Sequence, residues 1–306
     1  MKPAPSKSAS RQPAAPSAAG AVQRRVHRRR GARVSEGLDA IADEVPIALS
    51  YNGSAFAVMM ATPEDVGDFA LGFSLSEGIV ARADELRIDG IATTLEGIRV
   101  SMTIPEPRAA ALEQRRRNLQ GHSGCGVCGS ESLEAVLRPP PRVGDGVRIR
   151  TDALHRALRE LQQGQPLNAL TGATHAAAWA DGEGRVRLIR EDVGRHNALD
   201  KLIGALVAAG HAPSRGFAVV TSRASYEMAM KAAQAGIPLL AAISAPTALA
   251  IALAQSANLT LIGFARDDGH AVYTHTQRLI EDDADGTVRA MRAAPPRARK
   301  ATERKS

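Results

Sequence analysis

"GFAVVTSRASYEMAMKAAQAGIPLLAAISAPTALAIALAQSANLTLIGFA", residues 216–265, sets the architecture. Apolar runs at 216–222, 237–244 and 259–265 are too short for helices and carry no polar alternation, which suits strands buried on both faces. Between them, 224–236 and 246–258 have helical length and end at Gly236 and Asn258. Strands alternating with helices in this way imply right-handed crossovers and a largely parallel sheet with helices on its faces. The interval 239–265 has no charged residue and is long enough to span a bilayer, but Ser244, Pro246, Thr247, Gln255, Ser256 and Asn258 divide it as strand, helix and strand. The sequence therefore predicts buried soluble structure and no membrane insertion.

Upstream, "THAAAWA", the turn "DGEG" and "RVRLI" read as a hairpin over 174–189. "NALDKLIGALVAAG" (197–210) places Leu199, Leu202, Ile203, Leu206 and Val207 on one helical face and stops at Gly210. Nearer the start, "VPIALSYNGSAFAVMMA" (45–61) turns at Asn52-Gly53, a pair suited to positive φ, and Thr62, Pro63 and Asp65 form a helix start with Thr62 as the cap. "EPRAAALEQRRRNLQ" (106–120) reads as a polar helix, "SESLEAVL" (130–137) as a helix capped by Ser130, and Pro139–Pro141 as a linker.

The net charge of +7 suggests a polyanion partner until it is divided along the chain. Residues 1–33 hold nine bases and no acid and residues 289–306 carry a net +6, so the body between them is at −8. Both ends are rich in Pro, Ala and Ser. The expected organisation is a disordered basic tail over 1–36, an α+β part over 37–142, an α/β domain over 143–280 and a second disordered tail over 281–306. Aromatic residues make up only 3%, which argues against a nucleic-acid surface built on stacked rings. Export is not indicated, since the N-terminal arginines precede no apolar segment.

In open α/β sheets ligands gather outside the carboxyl ends of the strands. Those ends are "REDVGRHN" (190–197), "TSRAS" (221–225), "SAPT" (244–247) and "FARDDG" (264–269). Arg190, Arg195, Arg223 and Arg266 either converge there on an anion such as phosphate or pair with Glu191, Asp192, Asp267 and Asp268.

Both cysteines lie in "GHSGCGVCGS" (121–130). Two free thiols and no disulfide framework fit a reducing cytoplasm. Read as G-x-G-x-x-G the stretch lacks the preceding strand of a dinucleotide loop. As a zinc site it supplies two ligands, which His122, His175 and His196 could complete. As a dithiol redox pair it lacks the thioredoxin setting. As a sulfur nucleophile it has Arg115–Arg117, His122 and a helix start at Ser130 to favour a thiolate, with glycines that let the thiol extend.

Taken with "NGSAFAVMMATPEDVGDFALGFSLSEGIV", "TGATHAAAWADGEGRVRLIREDVGRHNALDKLIG" and the run from "SRASYEMAM" to "GFARDDGHAVYT", "SGCGVCG" resembles the FdhD formate dehydrogenase accessory proteins from about residue 45 to 276. The resemblance implies a cytoplasmic, dimeric, sulfurtransferase-type sulfur carrier. Such a carrier takes persulfide sulfur from a cysteine desulfurase and transfers it to the Mo-bis(molybdopterin guanine dinucleotide) cofactor that formate dehydrogenase requires. It places the persulfide on Cys125, with Cys128 assisting, and cofactor contacts on Phe264, Ala265, Arg266, Asp267, Asp268 and Gly269; Arg223 joins them from the strand-end reading. The implied fold is a layered α/β sandwich similar to cytidine deaminases, with a mobile C-x-x-C loop, no zinc chemistry and no resident metal. Two acids behind Arg266 depart from a pure phosphate site. The rival readings are a zinc-binding or dithiol redox protein.

Overall fold

The structure, a computed structural model, describes residues 19–120, 140–266, 269–282 and 288–290. Its N-terminal part opens with strands β1 (Ala21–Arg30) and β2 (Arg33–Ala42), followed by β3 (Val45–Tyr51), β4 (Ser54–Ala61), helix α1 (Val66–Ser76), β5 (Arg87–Thr94), β6 (Gly97–Thr103) and α2 (Glu106–Gln120). The remainder runs β7 (Ile149–Arg150), α3 (Thr151–Gln163), α4 (Pro166–Thr171), β8 (His175–Asp181), β9 (Val186–Asp192), α5 (Arg195–Ala208), β10 (Gly216–Val220), α6 (Tyr226–Gln234), β11 (Leu239–Ala242), α7 (Ala248–Ser256), β12 (Thr260–Arg266), β13 (Gly269–Val272), β14 (Leu279–Asp282) and β15 (Val288–Ala290).

A six-stranded sheet in the order β13-β12-β11-β10-β8-β9 forms the centre. The crossover pattern of 216–265 delivers parallel pairing through β10, β11 and β12. At the edges the sheet is antiparallel, because β8–β9 and β12–β13 are joined by turns too short for a crossover. Alternate side chains serve the two faces. Ala177, Trp179, Ala218, Val220, Leu240, Ala242 and Leu261 pack under α5, α6 and α7, while Ala178, Phe217, Val219, Leu239, Ala241 and Ile262 pack under α3.

The N-terminal part adds a four-stranded sheet, β4-β3-β6-β5, whose core includes Ile47, Leu49, Val100, Met102 and, from α1, Phe69 and Phe73. Asn52 (φ 48) and Gly53 (φ 80) make the predicted turn, and the Asn52 side chain ties it to Ile104 by accepting from its N–H and donating to its carbonyl. Helix α1 then lies on α5 with almost no space between them. A Cβ on Gly72 would fall 1.7 Å from the Asp200 carbonyl oxygen, and one on Gly204 would fall 1.9 Å from that of Asp68. The two glycines let the helix backbones touch, which joins the N-terminal layers to the α/β layers. Enclosed between the sheet and α1, α5 is buried on every side from Asn197 to Leu206.

The tails differ from expectation. In place of a structureless arm up to residue 36, Ala21–Arg30 pairs residue for residue with Arg33–Ala42 around Gly31 (φ 60). The acids of the second strand lie near the bases of the first: Arg28 pairs with Asp39 at 2.6 Å, and His27 stands 3.4 Å from Glu36. A stretch that looks like unopposed charge when read linearly is thus partly neutralised across the ribbon. At the other end, where disorder is predicted from 281, β14 and β15 pair antiparallel over Ile280–Asp282 and Val288–Ala290, and β14 also pairs with β7.

Candidate functional site

Because β8 is antiparallel to both of its neighbours, the carboxyl ends of β9, β10, β11 and β12 and the start of β8 share one edge of the sheet. All four strand-end segments singled out in the sequence therefore meet along this rim. Two of its loops are paired with each other: Ala224 and Pro246 form a parallel bridge, and Thr247 N–H donates to the Ala224 carbonyl at 3.1 Å. The helices that follow are self-capped. Ser225 Oγ accepts from Met228 N–H and Thr247 Oγ1 from Ala250 N–H.

The α5 corner is held differently. Asp192 and Lys201 are 0% exposed, with Lys201 Nζ 2.7 Å from Asp192 Oδ2. The same oxygen accepts from Thr62 N–H and Thr62 Oγ1, both at 3.0 Å, while Oδ1 accepts from Gly194 N–H at 2.8 Å and Asn197 Nδ2 at 3.0 Å. Lys201 also donates to the Thr62 carbonyl and hydroxyl, and Asn197 to the Met60 carbonyl. Asp192, Gly194, Asn197 and Lys201 of the "EDVGRHNALDK" stretch thus knot β9, α5 and the end of β4 together. Thr62, predicted as a helix cap, is consumed in the knot, and Asp65 (φ 53) stands at the cap position without a side-chain capping bond. Gly194 must be small, since a Cβ there would sit 2.8 Å from Asn197 Nδ2.

The knot fixes Arg195 and His196 at the rim. Arg195 is half-buried, and its Nε is shielded from solvent without a hydrogen-bond partner among the described residues. His196 Nε2 lies 2.8 Å from Glu227 Oε2 but outside hydrogen-bond geometry. Burial lowers the His196 pKa; Arg195 and Lys231 act in the same direction, against Glu227 and Glu77. His175 is also lowered, by burial first and then by Arg195. Both shifts favour the neutral imidazole, and the Arg195 guanidinium contributes to each.

The choice between a converging arginine cluster and internal ion pairs resolves residue by residue. Arg190 is paired, donating to Asp68 at 2.7 and 2.8 Å with Asp65 at 3.4 Å. Glu191 is occupied elsewhere, its carboxylate accepting the N–H groups of Leu167 and Asn168 at the start of α4 and the Thr174 hydroxyl. Arg223 and Arg266 are exposed on the rim.

At the far end, β12 is irregular between Gly263 and Arg266. Phe264 adopts φ 51 with its N–H bonded to the Ser244 carbonyl, and the residue is 47% exposed. A left-handed conformation is unusual for a bulky residue. Ala265 is buried and belongs to the core beneath α3. Gly269 begins β13. Asp267, Asp268, Cys125, Cys128, His122 and the predicted helix over 130–137 lie outside the described residues.

Sequence reasoning missed Tyr273, which follows β13 opposite Leu261, with its N–H on the Leu261 carbonyl at 2.8 Å, and whose ring reaches diagonally to Gly263: a Cβ on Gly263 would meet Tyr273 Cε2 at 3.1 Å and Pro246 Cδ at 2.6 Å. Its only signal was position nine residues after Phe264. A separate cavity of about 330 Å³ opens between the β3–β4 turn and α2, lined in part by Tyr51, Phe56, Glu106, Leu112 and Glu113 and by none of the rim residues. Among the described residues no group of three or more His, Cys, Asp or Glu side chains is placed to hold a metal ion, and no helix is long and apolar enough to cross a membrane.

Comparison with known proteins identifies relatives of the whole chain and of its fold. The chain is 65% identical over 268 residues to the sulfur carrier protein FdhD of Xanthomonas campestris pv. campestris (strain B100), covering 88% of this chain and 95% of that one. It is 55% identical over 241 residues to the protein of the same name from Cupriavidus necator, covering 79% and 84%. A crystal structure of a candidate formate dehydrogenase accessory protein from Desulfotalea psychrophila shares the fold, with a TM-score of 0.66 at 23% identity over 85% of this chain and 99% of that one. The sequence model of the FdhD/NarQ family matches residues 42–280, from the foot of the β1–β2 ribbon to β14, and the chain belongs to that family.

Proposed function

We propose that the protein is a sulfur carrier that supports formate dehydrogenase by moving one sulfur atom from a cysteine desulfurase to a Mo-bis(molybdopterin guanine dinucleotide) cargo held at the rim. The observation that carries this reading is the 65% identity, over 88% of the chain, to a protein named a sulfur carrier. The rim supports it: a shielded guanidinium nitrogen of Arg195 with an unmet donor, the exposed Arg223 and Arg266, and the exposed Phe264 ring suit a ligand that joins phosphates to flat heterocycles. As cargo, the cofactor is a substrate here rather than a resident group.

In the proposed chemistry the Cys125 thiolate attacks the terminal sulfur of the desulfurase persulfide. A Cys125 S–S bond forms, the donor's S–S bond breaks, and the donor cysteine leaves as thiolate. Attack by Cys128 on the Cys125 sulfur then expels sulfide toward the metal and leaves a Cys125–Cys128 disulfide, which a cellular thiol reductant returns to two thiols. The protein acts in the cytoplasm as a homodimer and needs no resident metal.

Intact mass after incubation with a cysteine desulfurase and cysteine tests this. The expected result is a gain of one sulfur atom, erased by reductant and absent from Cys125→Ala. Equal loading of Cys125→Ala removes Cys125 as the carrier, and one tightly bound zinc per chain favours a zinc module instead.

A further inference from the structure

The β1–β2 ribbon reaches past the part of its own chain that covers it. Alternation along β2 puts Ala40, Leu38 and Val34 on one face. At the foot, where β2 packs on α4, Ala40 is buried, but farther out on the same stripe Leu38 is 58% and Val34 64% exposed. Arg25 and Arg29 stand directly opposite these two on β1. A two-stranded ribbon without a covering layer is marginally stable in water, so this stripe calls for one.

A second surface is equally open. The inner face of the β4-β3-β6-β5 sheet is core, through Ile47, Leu49, Val100 and Met102. On its outer face the cross-strand rows Met60–Pro46 and Val58–Ala48–Arg99–Ala92 hold one charged residue, and Val58 is 64% and Met60 48% exposed. Low, largely apolar side chains of this kind suit a second sheet laid against them. Glu44 and Glu96 stand exposed at the end of this face where β3 and β6 begin, with Glu96 3.9 Å from Arg99.

We propose that two copies of the chain exchange ribbons, each laying Leu38 and Val34 on the outer sheet face of the other, over Val58 and Met60, with Arg25 and Arg29 directed to Glu44 and Glu96. This rests on the proposed homodimer and names its surfaces. Charge favours a second copy as the occupant: residues 21–42 hold six arginines against Glu36 and Asp39, net +4, whereas residues 43–288 are at −6. Area favours reciprocity. A ribbon about 33 Å long and 10 Å wide covers roughly 300 Å², so one contact falls well short of a stable interface, and two bury about 600 Å² per partner, its lower limit. Only a second copy of the chain supplies both halves of that pair.

Sedimentation velocity of the full chain in reductant, over a range of concentrations, is the test. The unaltered protein is expected to be a dimer, and Leu38→Asp, Val34→Asp and Val58→Asp are each expected to raise its dissociation constant about tenfold. All three side chains are exposed in the single chain, so circular dichroism should be unchanged. Mixing Leu38→Asp, whose sheet face is intact, with Val58→Asp, whose ribbon is intact, is expected to recover part of the association, because one of the two contacts is then whole. Dimers indifferent to the ribbon substitutions, dimers weakened by them but not by Val58→Asp, or no recovery on mixing overturn the exchange while the dimer stands. A protein that is monomeric throughout overturns the homodimer on which the exchange rests. If that monomer floats with phosphatidylglycerol vesicles and Leu38→Asp does not, the ribbon belongs to a membrane surface instead.

Discussion

Lys201 and Asp192 form an ion pair at 2.7 Å in which neither side chain touches solvent, nine residues apart in sequence and joined through Thr62 of the N-terminal part. Removing one member leaves the other charged and buried. Asp192→Asn and Lys201→Met are each expected to cost about 3–5 kcal/mol in urea unfolding, and the double variant much less than their sum. Single losses below about 1 kcal/mol would show that the knot does not hold the layers together.

Gly204→Ala tests the contact of α1 with α5. A methyl group aimed at the Asp68 carbonyl oxygen must push the helices apart, against the usual preference for alanine over glycine within a helix. The expected loss is about 3 kcal/mol, read from thermal or urea midpoints. A stabilised variant would mean that the helices are less tightly apposed.

Arg190 and Arg195 are close in sequence but should behave differently. Arg190→Ala gives up its bonds to Asp68 and should lose about 1–2 kcal/mol of stability without changing GDP affinity. A tenfold loss of GDP affinity in Arg190→Ala would place Arg190 on the ligand.

The pH dependence follows from the two imidazoles. Burial depresses both in the folded state, so the unfolded chain takes up protons first as pH falls through the ordinary histidine range. Stability should therefore decline from pH 7 toward pH 5, and the decline should be shallower in a His175→Gln/His196→Gln variant. Melting temperatures against pH provide the check; an unchanged slope rejects the assignment.

Phe264 holds a conformation that asparagine tolerates better than a bulky side chain. Phe264→Asn should leave stability equal or raise it by about 0.5–1 kcal/mol while weakening guanosine binding. A less stable variant with intact binding would make the ring a packing element.

How much of this was legible in the sequence depended on whether the signal was local. The strand and helix alternation of 216–265, the Asn52-Gly53 turn and the meeting of four strand ends rest on periodicity and chirality, and the structure contains them. Thr62 was legible as a helix start but not as a partner of Asp192 and Lys201, 130 and 139 residues away, because no local rule encodes a buried knot. The β1–β2 ribbon was hidden by its own arginines, whose neutralising acids sit on the returning strand. The sequence left Arg190 open between an anion and nearby acids because its actual partners, Asp65 and Asp68, belong to another layer. Tyr273 was overlooked because its place depends on the absence of a side chain at Gly263.

The bare backbone crossing at Gly72 and Gly204 has a mechanical corollary. With carbonyl against glycine there is no cushion of side chains for one layer to shear over the other, and the buried charges beside the crossing resist prising it open. The two layers therefore move as one body, and a ligand at the rim is not enclosed by a hinge between α1 and α5.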